Sequence, residues 1–300
     1  MILAIALASA RCPGQSLGKG RDQAPSYTQP AENLLIIVAD IQRHLDDDIY
    51  RFPYAVDVTG KNVFRAALVR LANYETLYPG RLSDIVALAK AQAFEKLSGY
   101  NEAARNYDLA RKSPDEAIRK IAGEGLERAR KFDRVVNQPV DMAVPRTYER
   151  DMKQKIGDID QLANEYKGTP HRALALLERE RAQTTLAKFY LMFRFMQPFN
   201  TNDAIAQIKR NIDQNSNSKN LYLHHLLLGD LQFELAREYA ILNDPEGMNF
   251  QRKAFDGFAN SARAQYHIVE QADGFPEKLE GRAKIAALEA FVERIGDRAR

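Results

Sequence analysis

The stretch ALAKAQAFEKLSGYNEAARNYDLARKSP, running from Ala87 to Pro114, decides how the chain is read. Ala87, Ala91 and Phe94 recur at helical spacing and form one apolar stripe, whose small residues admit a neighbouring backbone. Ser98 and Gly99 interrupt the stripe, and Gly99 is expected to take the left-handed conformation that closes a helix. Tyr100, Ala103, Tyr107 and Ala110 mark a second amphipathic run, so the two helices must fold back on each other, with Tyr107 packed against Phe94. Ser113, Pro114 and Glu116 predict a third helix: a hydroxyl cap, a proline suited to the first turn and a glutamate three residues past the cap.

Ala91, Phe94, Tyr100, Ala103, Tyr107, Ala110 and Pro114 together resemble a tetratricopeptide (TPR) repeat. Gly125 continues the resemblance, because it follows Ala91 by the 34-residue period of that family. Two features depart from the pattern. Lys90 stands where the family usually carries leucine, and the helix after Gly125 runs on through Phe132 to Val136 without a repeat-closing glycine. The resemblance implies an all-α fold of antiparallel helix pairs stacked as a right-handed α-solenoid. It also implies a non-catalytic scaffold that mediates protein–protein interaction. Read from spacing alone, the same residues also suit an ordinary helical hairpin in an α-bundle.

Weaker echoes lie downstream. Leu228 and Gly229 resemble the small-residue crossing point of a first helix, and Ala254, Phe258 and Ala262 its returning partner. Their separation is too long, at 25 residues from Gly229 to Ala254 against 12 from Ala91 to Ala103. Lengthened helices or an inserted turn around Asn243 to Glu246 are therefore expected. Helices are predicted over 31–49, 61–78, 83–98, 100–112, 114–137, 147–166, 170–197, 202–213, 219–242, 246–272 and 277–296, with no convincing strand alternation. Asn137 to Arg146, with two prolines, reads as a connector between an N-terminal half at 31–138 and a divergent C-terminal half at 147–300.

The first ten residues, MILAIALASA, form an apolar run ending in small residues and read as a signal peptide. The run lacks the usual positive residue before it. Residues 11–30 read as a disordered spacer. Location is accordingly expected in the periplasm or cell envelope, or in the cytoplasm if the run is not a signal. Cys12 is the only cysteine, so no disulfide can close within the chain, and Arg11 before it argues against acylation. The stretch from Leu186 to Met196 carries Lys188 and Arg194 and is too short to span a bilayer; Phe189, Phe193 and Met196 are expected in the core.

With 43 basic and 40 acidic residues the chain carries a formal charge of +3, its signs interleaved along most helices. That is the pattern of solvated helix faces. The basic segment holding Arg119, Lys120, Arg128, Arg130, Lys131 and Arg134 is broken by Glu124, Glu127 and Asp133 and has no aromatic platform for bases, so no nucleic-acid partner is expected. Asp46, Asp47 and Asp48 lack a calcium-loop pattern. Neither His44, His171, His224, His225 nor His267 stands in a metal-ligand motif, and adjacent His224 and His225 point about 100° apart on a helix. The aromatics Tyr50, Phe52 and Tyr54 are expected to fill gaps beneath a connecting loop, with Asp57, Thr59 and Gly60 supplying a turn.

No catalytic residue, cofactor or metal is expected. The partner is expected to be a protein or peptide. What the TPR resemblance implies is binding along the inner side of the first helices, where Ile85, Leu88, Gln92 and Glu95 would meet Arg119, Ala122, Leu126 and Ala129 one period on. Such a groove would hold an extended or helical segment through Leu88 and Leu126, steered by Arg119. A structural subunit of an envelope assembly and a helical enzyme with a dispersed site stand as the other readings. Oligomeric state is not legible in the sequence.

Overall fold

The computed structural model describes residues 30–45 and 60–299. The expectations for residues 1–29, Cys12 among them, for Asp46 to Asp48, and for Tyr50, Phe52, Tyr54, Asp57 and Thr59 lie outside the described residues.

Every regular element among the described residues is an α-helix, and there are eleven: α1 (Pro30–Leu45), α2 (Lys61–Leu77), α3 (Ser83–Lys96), α4 (Tyr100–Ala110), α5 (Glu116–Val136), α6 (Pro145–Glu165), α7 (His171–Phe193), α8 (Thr201–Gln214), α9 (Leu221–Leu242), α10 (Arg252–Glu270) and α11 (Glu277–Arg298). The all-α expectation holds. Helix α10 starts six residues later than predicted, because Asp244 and Pro245 open a turn, closed by Gly247 N–H donating to Asp244 O at 2.8 Å. Helix α7 stops at Phe193, which turns Met196 out to the surface instead of into the core.

Two local readings are corrected. The left-handed residue between α3 and α4 is Ser98, at φ 63°, whereas Gly99 sits at φ −87°. The geometry explains the shift. Gly99 N–H donates to Phe94 O at 2.8 Å and Ser98 N–H to Glu95 O at 3.1 Å, which places the chain reversal one residue earlier, and Gly99 already serves as the N-cap of α4. The cap of α5 is Asp115, whose carboxylate accepts from Ala117 N–H at 2.8 Å and Ile118 N–H at 3.2 Å. The Ser113 hydroxyl instead accepts from Asp115 N–H at 3.1 Å and donates to Asp84.

The chain divides into two compact units. The first takes described residues 30–45, 60–140 and 158–175; the second takes 141–157 and 176–299.

In the first unit each helix from α1 to α5 packs on the next, and α3 also touches both α1 and α5. The contacts of Asp84 with Ser113 and of Glu95 with Arg128 advance in the same direction along both segments, so α3 and α5 lie side by side and parallel. The stripe Ile118, Ala122, Leu126, Ala129 on α5 closes the core against Leu34, Ile37, Leu71, Val86, Leu88, Ala91 and Tyr107. Phe94 joins this cluster from its edge and is half-buried, not central. Gly125 on α5 presses on the Tyr107 ring, so close that a Cβ there would lie well inside van der Waals contact.

In the second unit α8 packs on α9, α9 on α10 and α10 on α11, and α9 also touches α11. Glu180 meets His224 and Arg194 meets Glu238 at the same sequence offset, so α7 and α9 run parallel there. The core holds Leu226, Ala236, Phe255, Ala259, Ala262, Tyr266, Val269, Leu288 and Ile295. On α10 the buried stripe is thus Phe255, Ala259, Ala262, one residue out of register with the expected Ala254 and Phe258, which are half-buried. Gly229 meets the Tyr266 ring as Gly125 meets Tyr107.

Candidate functional site

The six residues expected to line a groove do not form an open one. Ile85, Leu88, Glu95 and Leu126 are buried, Leu88 at 1% exposure; Gln92 is half-buried and Arg119 exposed. Ile85, Leu88 and Leu126 belong to the packed core of the first unit. Arg119 has local work, since its Nη1 donates to Ser113 O at 2.8 Å and Pro114 O at 2.6 Å, bracing the turn before α5.

Glu95 is the most informative of the six. Its buried carboxylate accepts from Tyr107 Oη at 2.8 Å and from Arg128 Nε and Nη2 at 2.6 and 3.0 Å, while Arg128 Nη2 also reaches the phenol oxygen at 3.2 Å. Three helices, α3, α4 and α5, each contribute one member. A bidentate guanidinium–carboxylate pair is among the strongest polar contacts a protein makes, and in this buried setting each charge depends on the other. Burial and the Glu95 carboxylate push the Tyr107 phenol well above its ordinary pKa, so it stays a donor. The hydrogen bonds and charge of Glu95 outweigh burial and hold Arg128 firmly protonated.

The second unit repeats the arrangement with different residues. Tyr266 on α10 donates to Asp230 Oδ1 on α9 at 2.8 Å, and Lys284 Nζ on α11 donates to the two Asp230 oxygens at 2.8 and 2.9 Å. Burial and the hydrogen bond to Asp230 likewise raise the Tyr266 pKa. The cation again lies three residues after a closely packed glycine: Arg128 after Gly125, Lys284 after Gly281, where a Cβ would meet Tyr266 O at 3.2 Å. In both units, then, a carboxylate on one helix accepts from a tyrosine on the next helix and from a cation on the helix after that.

A larger polar cluster lies among α7, α8 and α9. The buried Glu180 carboxylate accepts from Ser218 Oγ at 2.7 Å and Asn220 Nδ2 at 3.2 Å, and pairs with His224 Nε2 at 2.7 Å. Burial pushes Glu180 up, but the bonds from His224 and Ser218, the His224 charge and the bond from Asn220 hold it below the ordinary glutamate value. Beside it Asn215 Nδ2 donates to Gln183 Oε1 at 2.9 Å and Asn211 O at 2.8 Å, and Gln207 Nε2 donates to Asn211 Oδ1 at 2.8 Å. The arrangement contains serine, histidine and glutamate but not the geometry of an activated nucleophile. The Ser218 hydroxyl bonds the carboxylate, and no bond joins it to the imidazole that would have to take its proton. Its evident action is to fix the start of α9 against α7.

His224 and His225 face different neighbours, as their adjacency on a helix implies: His224 meets Glu180 on α7, and His225 Nδ1 meets Gln265 Oε1 on α10 at 2.8 Å. Among the described residues no group of three or more His, Cys, Asp and Glu side chains is placed to hold a metal ion. No helix of the described residues is long and apolar enough to cross a membrane.

The sequence reading places Glu95 on an accessible face because Ala91 and Phe94 are assigned to the core and Glu95 falls on a different side of the same helix. The missed signal was a buried-side partner set: Tyr107 and Arg128 lie 12 and 33 residues on, each on the stripe that faces α3. Glu180 gave no local signal at all, since its partners lie 38 to 44 residues away. No protein-family model, curated protein or solved structure matches the chain.

Proposed function

We propose that the chain is a non-catalytic scaffold of TPR-like stacked helix pairs that holds a protein or peptide, and that it works in an exported compartment of a bacterial envelope. The observation that carries the reading is the repeated three-helix contact, Tyr107–Glu95–Arg128 in one unit and Tyr266–Asp230–Lys284 in the other. Two units that lock a helix pair to the next helix in the same way are what a chain built from one repeated structural motif would show. The parallel course of α3 beside α5 and of α7 beside α9 supports a solenoid order, because successive first helices in such a stack lie side by side. The well-packed amide and carboxylate clusters rigidify the body and leave the exposed helix faces for contact. Export rests on the apolar opening run and its small-residue end.

Reconstitution tests the binding role. The tagged full chain is crosslinked in its source cells, and each recovered protein is purified and titrated against the purified chain by calorimetry. Saturable binding at defined stoichiometry is expected for at least one partner. The reading fails if none of the recovered proteins binds the purified chain. N-terminal sequencing checks location separately: loss of about the first ten residues is expected, and an intact Met1 on a cytoplasmic protein rejects export.

A further inference from the structure

Of the six methionines of the chain, Met142, Met192, Met196 and Met248 stand at the surface of the second unit, the last fully exposed, whereas Met152 is buried. Val144, Phe195, Ile241 and Leu242 are exposed with them, Phe195 at 74% and Leu242 at 82%. Side-chain contacts bring these residues to one pole of the unit. The Tyr148 and Phe189 rings lie 4.7 Å apart and Tyr190 Oη donates to Glu149 at 2.6 Å, setting the first turn of α6, just after Met142 and Val144, beside the end of α7. Arg194 Nη1 donates to Glu238 Oε2 at 3.0 Å, setting Phe195 beside the last turn of α9, where Ile241 and Leu242 follow Glu238 by three and four residues on one face. Arg298 bonds Asp244 and Glu246, each at 3.0 Å, and so pins the connection that carries Met248.

Eight exposed apolar side chains of this size present on the order of 1,000 Å². That exceeds the ~300–600 Å² of the largest patch on a typical monomer and reaches the ~800 Å² that each partner gives to a standard interface. Several charges around the patch are closed within the chain, Glu149 with Lys153, Arg194 with Glu238, and Asp244 and Glu246 with Arg298, while Asp141, Arg146 and Lys188 stand exposed at its rim. A surface of this area whose exposed rim charges, Asp141 beside Arg146 and Lys188, are of both signs presents no single-sign field that would repel its own copy. We infer that this pole binds a second copy of the chain in a closed two-fold dimer, patch against patch. Methionine adapts its unbranched thioether to a facing surface, which suits a patch that must complement itself. Phe195 is the central anchor, held with its ring 4.0 Å from the Arg194 guanidinium and therefore set in place before contact.

The dimer stands independently of the scaffold reading, since a chain without any other partner would still form it. Sedimentation velocity of the full chain from about 1 to about 100 μM tests it. A species of twice the chain mass is expected, and Phe195→Glu with Leu242→Glu should weaken it at least about 100-fold with unchanged helicity. Met248→Glu, at a side chain with nothing over it, gives the same reading should the double variant lose helicity. Peroxide footprinting adds a second readout: Met142, Met192, Met196 and Met248 should oxidise several-fold more slowly in concentrated than in dilute samples, and buried Met152 equally in both. A single-chain mass across the range, a dimer that survives the substitutions, a mass that grows without limit, or equal oxidation of the four methionines at both concentrations overturns the proposal.

Discussion

The ring of Tyr107 occupies the space that a side chain on Gly125 would need, so α4 and α5 approach to a distance only glycine permits at that point. Gly123, two residues earlier on the same helix, has nothing within 4 Å of an added Cβ and serves as its control. Gly125→Ala is expected to destabilise the chain by about 1–3 kcal/mol through overpacking. Gly123→Ala should stabilise it by about 0.5–1 kcal/mol through helix propensity. Urea denaturation of the two variants checks this, and equal stabilities would show that the ring and the glycine do not meet.

The two tyrosine contacts differ in burial, and their energetics should differ accordingly. Glu95 and Arg128 have side chains only 7% and 14% exposed, whereas Asp230 and Lys284 stand at 45% and 27%. Arg128→Met strands a buried carboxylate and is expected to cost about 3–5 kcal/mol. Lys284→Met leaves Asp230 in touch with water and should cost about 1 kcal/mol or less. Thermal unfolding of both variants ranks them; a larger loss for Lys284→Met would reverse the assignment of which contact is the buried one.

Acid stability should depend on Glu180. Its carboxyl sits below the ordinary glutamate value in the folded chain, so the folded state binds fewer protons there than the unfolded chain does. Stability from this group is present above the unfolded pKa and is lost as the pH falls through the folded one. Glu180→Gln is expected to lower stability at neutral pH and to flatten its decline below the glutamate range. Denaturation midpoints measured from pH 7 down to pH 3 test the slope; parallel declines for the wild type and variant would remove Glu180 as its source.

Alkaline stability should depend in the opposite sense on Tyr107. Its phenol is raised by burial and by Glu95, so the unfolded chain ionises first, and stability falls as the pH passes the ordinary tyrosine value. Tyr107→Phe should lessen that fall. A fall of the same size in the variant would assign it to other groups.

How much of this was legible in the sequence follows from range. The hairpin of α3 and α4 was readable because Ala91, Ala103, Tyr107 and Ala110 report a local period, and all four are buried. The non-helical stretch between Val136 and Pro145 was readable from its prolines. Register was less so: on α10, aromatics stand at both Phe255 and Phe258, and only packing against Leu226 and Leu288 selects the first. The polar contacts were the least legible. Glutamate at position 95 reads as surface until Tyr107 and Arg128 are brought to it by folding, and Glu180 takes all its partners from residues 218 to 224. The groove drawn from the family resemblance failed on the same ground, because burial of Leu88 and Leu126 is set by α1, α2 and α4, not by their own helices.

The claim on which the architecture rests is that α3 and α5 lie parallel and joined through Glu95 and Arg128. A double-mutant cycle with Glu95→Gln, Arg128→Met and the combined variant measures that join directly in the full chain. The account predicts an interaction free energy of about 2 kcal/mol or more, with the double variant more stable than the sum of the single losses allows. Strict additivity of the two losses would contradict it, because side chains that do not touch cannot relieve each other.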